Sequence, residues 1–340
     1  MVAGPAAQTT IRSLAGRINA YTVPNLPCIL SEGVINPTVG CAHRCVYCYM
    51  GQGQYTDGQE IRVFDTLPDL LERQLRHDER VGGTGPDRIY FSTACDAFQP
   101  IKEVQDVTLA AFSALVERGK HVGFLTKGLI REDIMAVIQK NPELFSAQID
   151  LNTLDQTVTD VFEPGAAKPS ERLAQMKRLV DMGVRTSARL DPVLPGITDT
   201  PARLEALFAG ISSAGVTSAA VSYLFLRPPI RIILTRRFHP MANAVLAEFG
   251  AGKTTEVPLH GKSTMTCLLP ARRIAGFTRI KTIAAKHGIS VSFCACKNSD
   301  VAADVEEVGK CNISGPPLPR PAPSSSSSAK CGRLAKKTKI

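Results

Sequence analysis

Tryptophan is missing from this chain of 340 residues, and aromatic residues make up only 6% of it. The hydrophobic fraction of 44% is nevertheless ordinary for a globular protein. Long apolar runs are missing as well. The first thirty residues are interrupted by Pro5, Arg12, Arg17, Asn19 and Pro24, which leaves no stretch suited to a secretory leader. The apolar run at 216–234 is broken by Arg227, Pro228, Pro229 and Arg231, so it reads as a buried strand and turn rather than a membrane span. Acidic residues are absent from 316–340, which carries Arg320, Lys330, Arg333, Lys336, Lys337 and Lys339. Removing those six from the 40 basic residues leaves 34 against 31 acidic, so the body carries about +3 of the total +9. Net charge alone therefore does not make a nucleic-acid binder of this protein. The expectation is a cytoplasmic protein with no membrane partner, its ten cysteines kept reduced.

What is present is a regular alternation. Short apolar runs at 34–39, 88–92, 121–125, 148–151, 185–190 and 218–225 read as strands. Between them, 67–77, 104–118, 132–140, 170–182 and 201–214 read as helices. In the fourth of these, Leu173, Met176, Leu179 and Val180 form an inward stripe, with Arg172, Lys177 and Asp181 expected to face out. Gly119, Gly183 and Gly215 stand where three of the helices should stop. Six strand–helix repeats joined by right-handed crossovers predict an α/β fold, a partial (β/α)6 TIM-type barrel. The pattern divides the chain into an irregular lead-in (1–30), a core barrel (31–226), a cysteine-bearing C-terminal extension (227–315) and a disordered basic tail (316–340). The extension is expected to hold helices at 227–249 and 270–287 and a last strand at 288–296.

The most informative segment follows the first predicted strand. Cys41, Cys45 and Cys48 occupy one tight loop at spacings of four and three residues. Three thiols so placed can bind three irons of a cubic [4Fe–4S] cluster and leave the fourth iron open. An open iron can chelate the amino and carboxylate groups of S-adenosylmethionine and pass an electron to its sulfonium. Structural zinc wants four ligands, usually in two separated pairs, and only His43 is at hand as a fourth here.

The CxxxCxxC spacing, with Tyr47 just before the last cysteine, resembles the radical S-adenosylmethionine superfamily. The segments Phe162-Glu163-Pro164-Gly165 and Arg189-Leu190-Asp191-Pro192-Val193-Leu194-Pro195-Gly196 are similar to the spore photoproduct lyase group within it. The resemblance covers about 35–225 and implies roles for individual residues. Tyr47 would lie against the adenine of S-adenosylmethionine. Ser92 and Thr93, at the second strand end, would hold its amino group through their backbone, and Lys127, at the third, would hold the cofactor too. Asn152, with Thr153 beside it, would bond the ribose. Arg189, a lone charge in an apolar run, would pair with the methionine carboxylate, or else with Asp150 or Asp191. Cys95 would give a hydrogen atom to a substrate radical, and Tyr49, directly after the third cluster cysteine, would relay the hole.

The resemblance implies reductive cleavage of S-adenosylmethionine, a reductant partner such as flavodoxin or ferredoxin, and action on pyrimidine photolesions in damaged DNA, flipped out of the base stack. Alternatives keep the radical but change the substrate to a peptide, RNA or small metabolite, or discard turnover for a metal-binding interaction protein. Cys294, Cys296 and Cys311, with Cys267 upstream, could form an auxiliary metal or cluster site, which the spore enzymes are not expected to have. Cys28 and Cys331 lie in irregular segments and suggest no role.

Overall fold

The computed structural model describes residues 10–13, 19–22, 31–48, 60–82, 85–250, 254–257 and 263–308. Its centre is a seven-stranded sheet. In chain order the strands are β1 (Gly33–Ile35), β2 (Arg88–Phe91), β3 (His121–Thr126), β4 (Phe145–Asp150), β5 (Arg185–Val193), β6 (Ser218–Tyr223) and β7 (Ser290–Phe293). Each strand pairs in parallel with the next one in sequence. A singly wound parallel sheet of this kind puts every crossover on one side and every strand end on one edge, as in a TIM-type barrel. Six strands match those read from the sequence, and the seventh, the last strand of the extension, pairs with β6 and continues the same sheet.

The two faces of the sheet differ. Ile89, Phe91, Val122, Phe124, Phe145 and Ala147 belong to the main hydrophobic core. Helix α2 (Lys102–Val116) brings Phe112 onto that face, 4.9 Å from Phe91 and 5.3 Å from Phe145 by ring centroids. Helix α1 (Leu67–Arg80) buries Leu67, Leu71 and Leu75, one per turn. Each leucine so covered contributes roughly 1.5–3 kcal/mol. The residues between them on the strands carry polar or small side chains. Cross-strand register sets Tyr90 beside Gly123 and Ser146, Gln148 beside Ser187, and Asp150 beside Arg189. Gly123 is required there, because a Cβ would come within 2.7 Å of the Tyr90 ring.

Several local readings are corrected. The run 34–39 is not one strand. It turns at Asn36-Pro37, and Thr38–Val39 pairs with Glu60–Val63 in a small separate sheet that also holds Thr10–Ser13. Proline has no N–H to continue a ladder, which explains the break. The helix read at 227–249 is two, Pro228–Arg236 and Pro240–Glu248, parted by Phe238 at φ 49° and restarted by Pro240. A seven-residue helix, Gln156–Phe162, is capped by Asp155, which accepts from the Thr157 N–H at 2.9 Å, and is too short to show periodicity. The hairpin Thr254–Val257 with Ser263–Thr266 was likewise not foreseen. Gly119, Gly183 and Gly215 do end helices, with φ of 64°, 83° and 79°.

Arg172 is the correction that matters most. It was expected to face out from the helix Pro169–Asp181, yet it is buried at 1% exposure, while Lys177 and Asp181 do face solvent. No helix among the described residues is long and apolar enough to cross a membrane.

Candidate functional site

The cysteine loop leaves β1 at the edge where the strands end, and two neighbouring segments hold it. From the loop after β2, the Gln99 side chain accepts from the Ala42 N–H at 2.7 Å and donates to Thr38 Oγ1 at 2.9 Å. Asp96 lies 3.1 Å from His43 Nε2 and accepts from Thr126 Oγ1 and the Lys127 N–H, both at 2.8 Å. From the segment after Gln156–Phe162, the Phe162 carbonyl accepts from the Val46 N–H at 2.9 Å. Gly165 gives its N–H to the His43 carbonyl, also at 2.9 Å, while its own carbonyl lies 2.9 Å from His43 Nδ1. Gly165 has no room for a side chain: a Cβ would sit 2.9 Å from His43 Cα and closer still to the Ala42 carbonyl oxygen.

Cys41, Cys45 and Cys48 are free thiols on half-buried residues. Burial pushes Cys41 and Cys45 well up, and neighbouring carboxylates add to this: Asp96 for Cys41, Glu163 for Cys45. Cys45 and Cys48 also raise the cost of ionising Cys41, and Cys48 that of Cys45, so the loop offers a soft donor set that a cationic group would stabilise. Among the described residues no group of three or more His, Cys, Asp or Glu side chains could hold a metal ion. A cubic cluster spreads its thiols over separate irons, so the three cysteines fit that group better than a single ion.

Behind the loop lies a buried ionic network centred on Glu163. Arg172 Nη2 is 2.6 Å from one Glu163 oxygen. Tyr47 donates its hydroxyl to the other, where Asn152 also donates at 3.2 Å and Lys127 Nζ lies at 3.5 Å. Lys127 Nζ is also 2.5 Å from Asp150, and it sits 5.7 Å over the Tyr47 ring. Burial opposes the charge on Glu163, but Lys127 and Arg172 outweigh it and hold the carboxyl down to about 2. Asp150 goes the other way: burial and the nearby Glu163 push it up, against Lys127. Lys127 itself stays charged, since Asp150 and Glu163 overcome its burial.

Tyr47, Lys127 and Asn152 therefore meet at one point. Ser92, at φ 74°, accepts from the Ala97 N–H at 2.9 Å. Thr93 accepts from Asn36 at 2.9 Å, and the same Asn36 lies 3.7 Å from the buried Cys95 thiol. Thr153 accepts from the Asp155 N–H at 3.0 Å. Arg189 pairs with Asp191 at 2.6 Å, one of the partners open to it from sequence, and Lys297 approaches the same carboxylate at 3.3 Å. Tyr49, Cys28, Cys311 and Cys331 lie outside the described residues, and so does the side chain of Cys296. Cys267 and Cys294 are buried thiols. Sequence reasoning missed Asp96, Gln99 and Arg172. The one signal pointing to the first two was their nearness to Cys95, which Asp96 follows directly and Gln99 by four residues.

The loop of three thiols is fixed at the strand-end edge of a singly wound parallel sheet. The Radical SAM superfamily model matches residues 35–207. The chain belongs to that superfamily. Its members use a [4Fe–4S] cluster and S-adenosylmethionine. Uncharacterised proteins of Mycobacterium tuberculosis and Mycobacterium bovis are 27% identical over 215 residues, 62% of this chain and 63% of theirs. A radical SAM Nalpha-GlyT isomerase of Pseudomonas phage M6 is 27% identical over 203 residues, 58% of this chain and 40% of that protein. The chain thus spans less than two thirds of the length of these relatives. The structure of spore photoproduct lyase complexed with dinucleoside spore photoproduct superposes with a TM-score of 0.64 at 16% identity, covering 85% of this chain and 83% of that one. At that identity the likeness speaks for the fold.

Proposed function

We propose that this radical SAM enzyme acts on pyrimidine photolesions in DNA, in the manner of a lyase, with a reductant such as flavodoxin or ferredoxin as partner. The observation that supports the reading is the clamped cysteine loop, with the buried Cys95 thiol on the next strand-end loop, 3.7 Å from Asn36. Cys41, Cys45 and Cys48 hold the [4Fe–4S] cluster. When bound, the cluster and S-adenosylmethionine supply a 5′-deoxyadenosyl radical by one-electron cleavage of the sulfonium. Tyr47, Ser92, Thr93, Lys127, Asn152 and Arg189 orient S-adenosylmethionine, with Glu163 and Arg172 fixing Tyr47 and Lys127. Cys95 would give the hydrogen atom of its weak S–H bond to the product radical, the Tyr49 hydroxyl would pass its own hydrogen atom to the resulting thiyl, and the flavodoxin or ferredoxin partner would return an electron, with a proton from solvent, to the tyrosyl radical. A second reading, favoured by the identity to the phage isomerase, keeps the radical and ends in rearrangement of a substrate.

The test is anaerobic reconstitution followed by assay of 5′-deoxyadenosine and of products from an oligonucleotide carrying a thymine dimer lesion. Wild-type protein should release 5′-deoxyadenosine, and the Cys41→Ala, Cys45→Ala, Cys48→Ala triple variant should release none. Cys95→Ala should still cleave S-adenosylmethionine but yield altered lesion products. Cleavage by the triple variant would refute the cluster assignment, and normal products from Cys95→Ala would make that thiol a packing residue.

A further inference from the structure

One corner of the surface is basic and apolar in part. Residues 206–247 contain no aspartate or glutamate but hold Arg227, Arg231, Arg236 and Arg237. One helix and its two caps display them, α3 (Pro228–Arg236), and a second helix, Pro240–Glu248, follows it. Ile230 and Leu234, four apart, seat α3 on the core. Ile232 and Arg236, also four apart, therefore lie on the far side, and Ile232 is 49% exposed. Between the helices stands Phe238, 86% exposed at φ 49°. A bulky residue in the left-handed region, with its ring in water, gains nothing from the isolated fold.

The pairing pattern separates this corner from the rest of the surface. Elsewhere Arg118, Arg131 and Arg178 bond Glu72, Asp133 and Glu132 at 2.5–2.8 Å. Among the described residues, Arg231, Arg236 and Arg237 take part in no ion pair. Arg237 gives one N–H to the Val161 carbonyl at 2.7 Å. That bond ties the corner to the helix Gln156–Phe162, whose last carbonyl holds the cysteine loop. The start of α3 also lies just past the end of β6, on the edge that carries the site.

We infer that this corner binds the backbone of a DNA strand, with Arg231, Arg236 and Arg237 on phosphates and Phe238 against a base. The guanidinium fork matches a phosphate in two bonds, and an exposed aromatic stacks on any base. The inference rests on the DNA reading above and names the surface that would lead a strand to the site.

Fluorescence anisotropy of the full chain with a labelled single-stranded oligonucleotide, across a salt series, tests it. The Arg231→Ala, Arg236→Ala, Arg237→Ala variant should bind at least about tenfold more weakly, with a log–log salt slope shallower by about 2. The difference in slope is the readout, because the basic residues of 316–340 add the same contribution to every variant. Exchange of the same arginines for lysine should keep the slope. Phe238→Ala should weaken binding about 5- to 100-fold with the slope unchanged, since only stacking is lost. Wild-type binding with no change in the arginine variant would overturn this surface and leave the DNA reading standing. No binding to single-stranded or duplex DNA would overturn both, and the 5′-deoxyadenosine assay would then report separately on the radical chemistry. Tighter binding to RNA of the same sequence, or to phosphatidylserine vesicles with none to DNA, would replace the proposed partner.

Discussion

Gly165→Ala tests the clamp on the cysteine loop without touching a thiol. An ideal Cβ at this position lies 2.9 Å from His43 Cα and 3.0 Å from the His43 carbonyl oxygen, with the Ala42 carbonyl nearer still. Carbon atoms sit comfortably at about 3.5–4.0 Å, so the loop must retreat by roughly 0.6 Å or more. It cannot do so freely. The His43 carbonyl accepts from the Gly165 N–H, the His43 ring is held by Asp96, and the Ala42 N–H by Gln99. Overpacking a fixed contact of this kind costs about 1–3 kcal/mol. The displaced backbone carries Cys41 and Cys45, so iron and sulfide uptake on reconstitution should fall together with the thermal midpoint. Gly119→Ala is the control. Its φ of 64° strains an alanine, but a Cβ there meets nothing within 4 Å, so only stability should suffer. Full iron content and an unchanged midpoint in Gly165→Ala would refute the clamp.

Two further outcomes follow from the buried charges. Glu163→Gln leaves Arg172 and Lys127 facing a neutral amide at a position 1% exposed, and should cost about 3–5 kcal/mol in a urea titration; a loss below about 1 kcal/mol would show the network to be energetically neutral. Asp191 is opposed by burial but held below the usual carboxylate range by Lys297 and Arg189. Its contribution is therefore complete above the unfolded carboxylate value near 4 and is lost as pH falls through the lower folded value. Asp191→Asn should flatten the acid limb of a stability–pH profile, and an identical limb in the variant would contradict the pairing.

The sequence spoke most clearly where information is local. Six strands followed from short apolar runs, and Gly119, Gly183 and Gly215 ended helices because a positive φ is written in the residue type. Arg172 was misread for a physical reason. Periodicity along Pro169–Asp181 separates a core stripe from everything else, and it cannot show that another segment lies over the remaining face. The segment that covers it brings Glu163, which desolvates the guanidinium and neutralises it in one contact.

By itself the sequence determined the cysteine spacing, the order of strands and helices, and through them the membership in a radical chemistry, because three thiols in one loop bind the same way in any fold. Tertiary structure alone decided what surrounds them. Tyr47, Lys127, Asp150, Asn152, Glu163 and Arg172 come from five separate stretches of chain, and they converge only because a parallel sheet brings its strand ends to one edge. Register then sets Asp150 beside Arg189 on the polar face, opposite the face that packs Phe91, Phe124 and Phe145. A buried charge is tolerable only where its partner is already waiting, and the partners of Glu163, Arg172 and Lys127 come from different stretches of the chain.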